Sequence, residues 1–242
     1  MRLDKLLANA GLGSRKDVRK LIRKGAISVN GDRLNDPAAH IATEDFQTIT
    51  INGRPLTLQH TVHLILYKPA GYITATKDSS LPHVLQLIED DWMYADLFPV
   101  GRLDRDTTGL LLLTNDGQLG HRLTSPKWDV AKEYLVVTQG KPFNTEDVAT
   151  FAAGIKLDDG LCKPALLKPQ GDHAARLTIT EGKYHQVKRM MSATGREVVN
   201  LTRTRFGPLD LTGLPEPGYY RLLDHSEVIP LYNLVQLDPP EI

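Results

Sequence analysis

Apolar residues recur along the chain at helical spacing first and in short runs later. Leu3, Leu6 and Leu7 lie one helical turn apart in RLDKLLANA and Gly11 follows, so a helix is predicted over 2–10. A second begins at Ser14, an N-cap residue with Asp17 three positions on in a capping-box-like place. Val18, Leu21 and Ile22 form its apolar face and Gly25 is placed to close it. A strand then runs to a turn at Asn30-Gly31, Ile49 and Ile51 with the Asn52-Gly53 turn close this first module, and Gln59-His60-Thr61 reads as a linker. From Val62 onward, short apolar runs alternate with helical segments. Strands are predicted at 63–67, 109–114, 133–138, 164–168, 175–180 and 197–203, and helices near 82–90, 117–123, 144–153 and 183–194. The unbroken run Leu110–Leu113 is a buried strand, and Asn115-Asp116-Gly117 after it signals a tight turn with positive φ. No element is predicted in the tail from Ser226, which is marked by Pro230 and the Pro239-Pro240 pair; its last residues are expected to fray. The pattern is α+β, with residues 1–60 as a small front domain and 61–242 as a larger one.

Composition changes this picture little, and charge changes it at one place. The 242 residues have an ordinary globular composition, and 29 basic side chains balance 29 acidic ones. The balance is uneven along the chain: residues 1–60 hold ten Lys/Arg against six Asp/Glu. Six of those cations lie on the second helix, where Arg15, Arg19 and Arg23 form one row and Lys16, Lys20 and Lys24 another, with almost no acid between them. A charged helix face is ordinarily just solvated. Solvated faces usually mix signs, however, and like charges four apart repel, so the grouping favours contact with nucleic-acid phosphates. Cys162 is the only cysteine, which excludes an intrachain disulfide and a cysteine-based zinc site. No HExxH, Walker A or GxGxxG sequence is present, so neither a metal nor a cofactor is predicted. No run is long enough to span a bilayer, and a cytoplasmic protein without a membrane partner is the default expectation.

Four constellations carry candidate chemistry. Lys68-Pro69-Ala70-Gly71-Tyr72 follows a strand, and by pattern alone it is a turn with a solvated lysine. Gly101-Arg102-Leu103-Asp104-Arg105-Asp106 delivers two aspartates in a polar turn onto the buried strand, a way to hold a carboxylate rigidly at the edge of a cleft. Aspartates also cap turns, and spacing does not choose between Asp104 and Asp106. The two are expected to face apart, which argues against a paired acid and base. Tyr134, entering a strand after Lys132-Glu133, is by pattern a half-buried packing residue. Finally, the 183–194 helix is expected to bury Tyr184, Val187 and Met191 and to present His185, Lys188 and Arg189 on the opposite face.

These segments resemble a known family. RLDKLLANAGLGSRKDVRKLIRKGAISVNG is similar to the S4 RNA-binding module, and KPAGY, GRLDRDTTGLLLLTNDG, KEY and YHQVKRM resemble the signatures of the pseudouridine synthases. An S4 module followed by GRLD is similar to the members of that family that modify ribosomal RNA. The resemblance implies an S4-like αα-β domain ahead of a mixed, mainly antiparallel sheet with flanking helices. It implies that Asp104 is the nucleophile toward a flipped uridine, that Tyr134 lies against the target base, and that Lys188 is the basic partner of the aspartate, where many members have arginine. Asp106 would then help the turn, with Thr107 and Thr108 bonding its backbone. The Lys68-Pro69 pair would support the active-site loop. Contacts with RNA are expected from Arg15, Lys16, Arg19, Lys20, Arg23, Lys24, Lys68, Arg102, His185, Gln186 and Arg189. No cofactor is needed, because the uracil is detached, turned and rejoined within the protein. QLGHRLTSP (118–126) and YHQVKRM resemble the small-subunit type, so the implied partner is 16S ribosomal RNA, naked or in an assembly intermediate; a monomer is the default expectation, with no motif that bears on it. The alternatives are a 23S enzyme of the same family and a non-catalytic S4-type protein that binds ribosomal RNA during assembly.

Overall fold

The computed structural model describes residues 2–9, 12, 15–56, 61–88 and 95–240. They divide into two compact units, Met1–Val62 with Ile88–Leu97 and His63–Leu87 with Phe98–Ile242.

The first unit places helices α1 (Leu3–Asn9) and α2 (Arg15–Arg23) with a small sheet of β1 (Ile27–Val29), β2 (Asp32–Arg33), β3 (Thr50–Ile51) and β4 (Arg54–Pro55), ordered β2-β1-β3-β4. Both Asn-Gly pairs turn hairpins in the left-handed region, at φ 53° and 89° for Asn30-Gly31 and 50° and 79° for Asn52-Gly53. Leu3, Leu6 and Leu7 of α1 meet Val18 and Ile22 of α2, with Ile27 and Ile49 beneath, all fully buried. The predicted cap Ser14, Gly11 and residues 59–60 of the linker lie outside the described residues.

The second unit is built on one mixed sheet. Its strands are β5 (His63–Lys68), β6 (Phe98–Pro99), β7 (Thr108–Thr114), β8 (Lys132–Gly140), β11 (Leu166–Pro169), β12 (Ala174–Ile179), β13 (Arg196–Phe206), β14 (Leu209–Asp210) and β15 (Tyr220–Leu222), with the hairpin β9 (Lys156–Leu157) and β10 (Gly160–Leu161) separate from it. The main path runs β11-β12-β8-β13-β7-β5-β15, antiparallel except where β13 lies parallel to β7. Leu110 to Leu113 are all fully buried, because both faces of β7 are covered, which is why the run shows no alternation. Each such leucine contributes about 1.5–3 kcal/mol. At the parallel pairing a Cβ on Gly109 would stand 2.2 Å from the Arg203 carbonyl oxygen, so only glycine lets these strands approach.

The helices are α3 (Gly117–Thr124), α4 (Thr145–Ala153), α5 (Gln186–Ala193) and α6 (His225–Leu234). Three expectations fail here for identifiable reasons. Asn115-Asp116-Gly117 makes no positive-φ turn: Asp116, at φ −85°, N-caps α3 and accepts from the Gln118 and Leu119 amides. The helix expected near 82–90 is a single 3₁₀ turn at Val84–Leu87, with 89 and 90 outside the described residues; Ile73 pairs its backbone with Pro82 and Val84, holding that stretch extended. The tail contains α6, where no element is predicted, with Pro230 inside it. An Asp224–Glu227 capping box starts it, and burial of Val228, Leu231, Tyr232 and Val235 offsets the roughly 3 kcal/mol that an interior proline costs.

A buried polar network ties α6 to the sheet. Tyr232 donates to Asp116 (2.6 Å) and stands 3.3 Å from His63 Nε2, while His63 Nδ1 is 2.9 Å from the Thr114 hydroxyl. Burial pushes His63 down to about 4, against the pull of Asp116. The unfolded chain therefore binds the extra proton between about pH 6.5 and 4, and stability present above that window falls as pH drops through it, by up to about 3 kcal/mol. Urea midpoints at pH 7 and pH 4.5 should show this loss in the wild type and a smaller one in His63→Gln. Equal losses in both would remove His63 from the account.

Candidate active site

The loop after Gly101 is held by the segment that follows β5. Lys68 is fully buried and donates from Nζ to the carbonyls of Pro69 (2.9 Å), Arg105 (3.3 Å) and Thr107 (2.9 Å). The Gly71 amide donates to the Arg105 carbonyl (2.8 Å), and Arg105 Nε returns a bond to the Gly71 carbonyl (3.0 Å). The Thr74 hydroxyl accepts from the Leu103 amide and donates to its carbonyl. The Thr107 amide closes the turn on the Asp104 carbonyl at 3.1 Å. Lys68 is thus neither a solvated lysine nor placed to touch RNA, because its donors are spent on the loop backbone. Burial pushes it down to about 8, with Asp106 and Asp104 pulling it back up.

Asp104 and Asp106 converge instead of facing apart. Lys188 Nζ, from α5, lies 3.1 Å from Asp104 and 2.6 and 2.8 Å from the two oxygens of Asp106. Residues two apart share a face even in a strand, and these two sit in a turn whose side chains reach one ammonium. Exposure separates their roles: the Asp104 side chain is 28 % exposed and lines a cleft, whereas that of Asp106 is 73 % exposed at its edge. The Lys188 hydrogen bond lowers the Asp106 pKa, so Asp106 does more than shape the turn. Partial burial works against the Lys188 charge, but its bonds to Asp106 and Asp104 outweigh this and raise its pKa. Thr107 serves the loop through its amide on the Asp104 carbonyl, while its buried hydroxyl finds no partner among the described residues; Thr108 turns instead to the Thr202 hydroxyl, 2.8 Å away.

The opposite wall comes from β8 and β13. Tyr134 is buried and lines the cleft, directly across the strand pair from Arg203. Arg203 is buried too, donating from Nε to the Leu110 carbonyl (2.7 Å) above the Phe206 ring, with the Tyr134 phenol as its neighbour. Burial pushes the Arg203 pKa down, and the neighbouring Tyr134 phenol opposes that. Arg203 and Thr74 escape a reading of the sequence. Arg203 and Arg205 would share a face in a regular strand, and a register shift between them, which no spacing announces, leaves Arg203 buried and Arg205 exposed.

The α5 segment meets its expected face only in part. Val187 and Met191 are buried, but Tyr184 is exposed, because the helix starts at Gln186 and leaves Tyr184 in the preceding turn. His185 lines the cleft with Nε2 3.5 Å from Asp104. Gln186, expected on RNA, is buried instead: its amide donates to Glu181 (2.7 Å) and accepts from the Lys183 N–H (2.9 Å). Arg189 is clamped by Asp159 at 2.8 and 3.1 Å. Arg102 is an exposed cation lining the cleft.

In the first unit the rows of cations do meet an acid. Asp4 of α1 is fully buried and takes Arg2 (3.1 Å), Arg15 (3.0 Å) and Arg19 (2.9 Å). Arg2, joined by Arg15 and Arg19, holds its carboxyl far below the usual carboxylate range against the effect of burial. Lys20 lies 3.7 Å from Asp17. Lys16, Arg23 and Lys24 are exposed and form no ion pair among the described residues.

A carboxylate held by a lysine in a cleft with a tyrosine, on a mixed sheet preceded by a basic αα-β unit, fits an enzyme that works on RNA. Residues 62–193 match the family model described as RNA pseudouridylate synthase, and residues 1–46 match the S4 domain. The chain is 43% identical to an uncharacterized RNA pseudouridine synthase of Bacillus subtilis, covering 94% of this chain and 97% of the relative. It is 41% identical to ribosomal small subunit pseudouridine synthase A of Salmonella typhimurium, covering 94% and 98%. A solved pseudouridylate synthase, 38% identical, superimposes with a TM-score of 0.67 over 96% of this chain and 99% of that one. The chain belongs to the RNA pseudouridine synthase family: it is an isomerase with an S4 RNA-binding domain at its N-terminus.

Proposed function

We propose that this enzyme converts a specific uridine of 16S ribosomal RNA to pseudouridine. Asp104 acts as the nucleophile, Tyr134 lies against the flipped base, and Lys188 pairs with the aspartate and aims it. One observation carries the reading: Lys188 Nζ lies 3.1 Å from Asp104 in a cleft that Tyr134 also lines. A half-buried carboxylate without a counter-charge would be costly, and Lys188 supplies that charge. In the reaction the N1–C1′ bond breaks, the uracil turns and C5 bonds to C1′. The C5 hydrogen leaves to solvent and N1 gains a proton, so no oxidant or cofactor enters the balance. Lifting the uridine from its stack costs roughly a few kcal/mol, and phosphate contacts remote from the chemistry offset it. In this division residues 1–60 bind RNA and 61–242 carry the reaction. The small-subunit assignment is supported by full-length similarity to relatives bearing that name, and a cytoplasmic location goes with action on ribosomal RNA.

Mapping pseudouridine in 16S and 23S ribosomal RNA from cells lacking this protein tests the assignment. One 16S pseudouridine should vanish and return when the wild-type gene is restored. Loss from 23S instead, or from neither, rejects it. The RNA-facing side of α2 is tested separately. Changing Lys16, Arg23 and Lys24 to Gln should weaken binding and flatten its salt dependence by up to about 0.7 in log–log slope per lost contact. An unchanged slope would mean that these cations only meet solvent.

A further inference from the structure

Tyr184 is the most exposed large hydrophobic side chain among the described residues, at 77 %. It is nonetheless held. Its ring lies almost parallel on the His185 imidazole, with centroids 3.9 Å apart and planes 17° apart. His185 lines the cleft, stands 3.5 Å from Asp104 and adopts a left-handed backbone at φ 45°, a region that few residues other than glycine occupy. The Tyr184 carbonyl accepts from Arg189 at 3.1 Å, and Asp159 fixes that guanidinium in turn. One face of the phenol ring is therefore covered by His185, and the ring stands exposed beside the cleft. Packing does not explain this arrangement, and unusual backbone at such a place points to use.

We propose that Tyr184 is a stacking platform for the base of a nucleotide flanking the target uridine, giving a three-layer stack of His185, Tyr184 and base at the lip of the cleft. The proposal rests on the reading of Asp104 as the reaction centre. Extracting a uridine strips its neighbours of one stacking partner, and an aromatic face beside the cleft replaces it. Such stacking accepts any base, so Tyr184 holds the opened RNA without choosing its sequence. It strengthens binding and leaves the chemical step to the groups inside the cleft.

The test starts from whichever of the 16S and 23S transcripts the wild-type enzyme modifies, with the modified uridine located. Tyr184→Ala should raise KM for that transcript roughly 5- to 150-fold with kcat little changed, and Tyr184→Phe should stay near wild type. Synthetic RNA fragments around the site, carrying 2-aminopurine on one or the other side of the target uridine, read the stack directly. In the Asp104→Asn background, fluorescence at one of the two positions should be quenched on binding. The quench should persist with Tyr184→Phe and disappear with Tyr184→Ala. Equal quenching with and without the aromatic ring at both positions, or a wild-type KM for Tyr184→Ala, overturns the proposal. Failure of the underlying reading shows differently, as wild-type turnover by Asp104→Asn.

Discussion

Asp104→Asn is expected to cut tritium release from C5-labelled ribosomal RNA by about a thousandfold or more while RNA affinity stays near wild type. The substitution keeps the shape of the side chain and removes its charge. Because Lys188 also bonds both oxygens of Asp106, it remains tethered when Asp104 loses its anion, and the cleft should not collapse. The loop backbone is anchored by Lys68 and Thr74, not by the Asp104 carboxylate, so its path should survive as well. What goes is the one acid that both lines the cleft and meets Lys188. Turnover by the mutant near the wild-type rate would sink the assignment of the nucleophile.

The second large effect is expected from Lys68→Met. This substitution keeps most of the volume and leaves the carbonyls of Pro69, Arg105 and Thr107 without the ammonium they share. The Arg105 carbonyl keeps the Gly71 amide, but the buried bond to Thr107 is lost, and a buried acceptor left unpaired costs about 1–3 kcal/mol, so a loss of about that size in unfolding free energy is expected. Activity should fall further than stability explains, because misplacing a reacting group by about 1 Å can cost on the order of a hundredfold. Urea unfolding and tritium release measured under fully folded conditions separate the two. An unchanged urea midpoint with weaker and less salt-dependent RNA binding would instead return Lys68 to the role of a phosphate contact.

Elements whose cause is local were readable in advance. The Asn-Gly hairpins, the α1 leucines and the buried run of β7 each follow from a few neighbouring residues. α6 was missed because Pro230 is a local signal against a helix, while the burial that overrides it comes from strands far away in sequence. Asp116 carried two local meanings, turn and cap, and the choice depended on the helix after it. At the site, the resemblance named Asp104, Tyr134 and Lys188 before any geometry was known. It did not show that one lysine serves two carboxylates, that Lys68 spends its charge on backbone, or that Arg203 turns inward behind Tyr134. Those facts belong to contacts between distant segments, and no spacing within a segment encodes them.

The parallel pairing of β7 with β13 carries a consequence for the order of assembly. It joins Thr108 and Thr202, which are 94 residues apart in sequence, and through it the Asp104 loop stands beside the strand that bears Arg203. Pairings across such distances form late in folding, because the intervening chain must be ordered before the contact repays its closure entropy. The buried cluster of the first unit, by contrast, joins residues near one another in sequence and made ahead of the cleft. During synthesis the residues of that buried cluster, all within 3–49, are therefore in place before those that close the cleft.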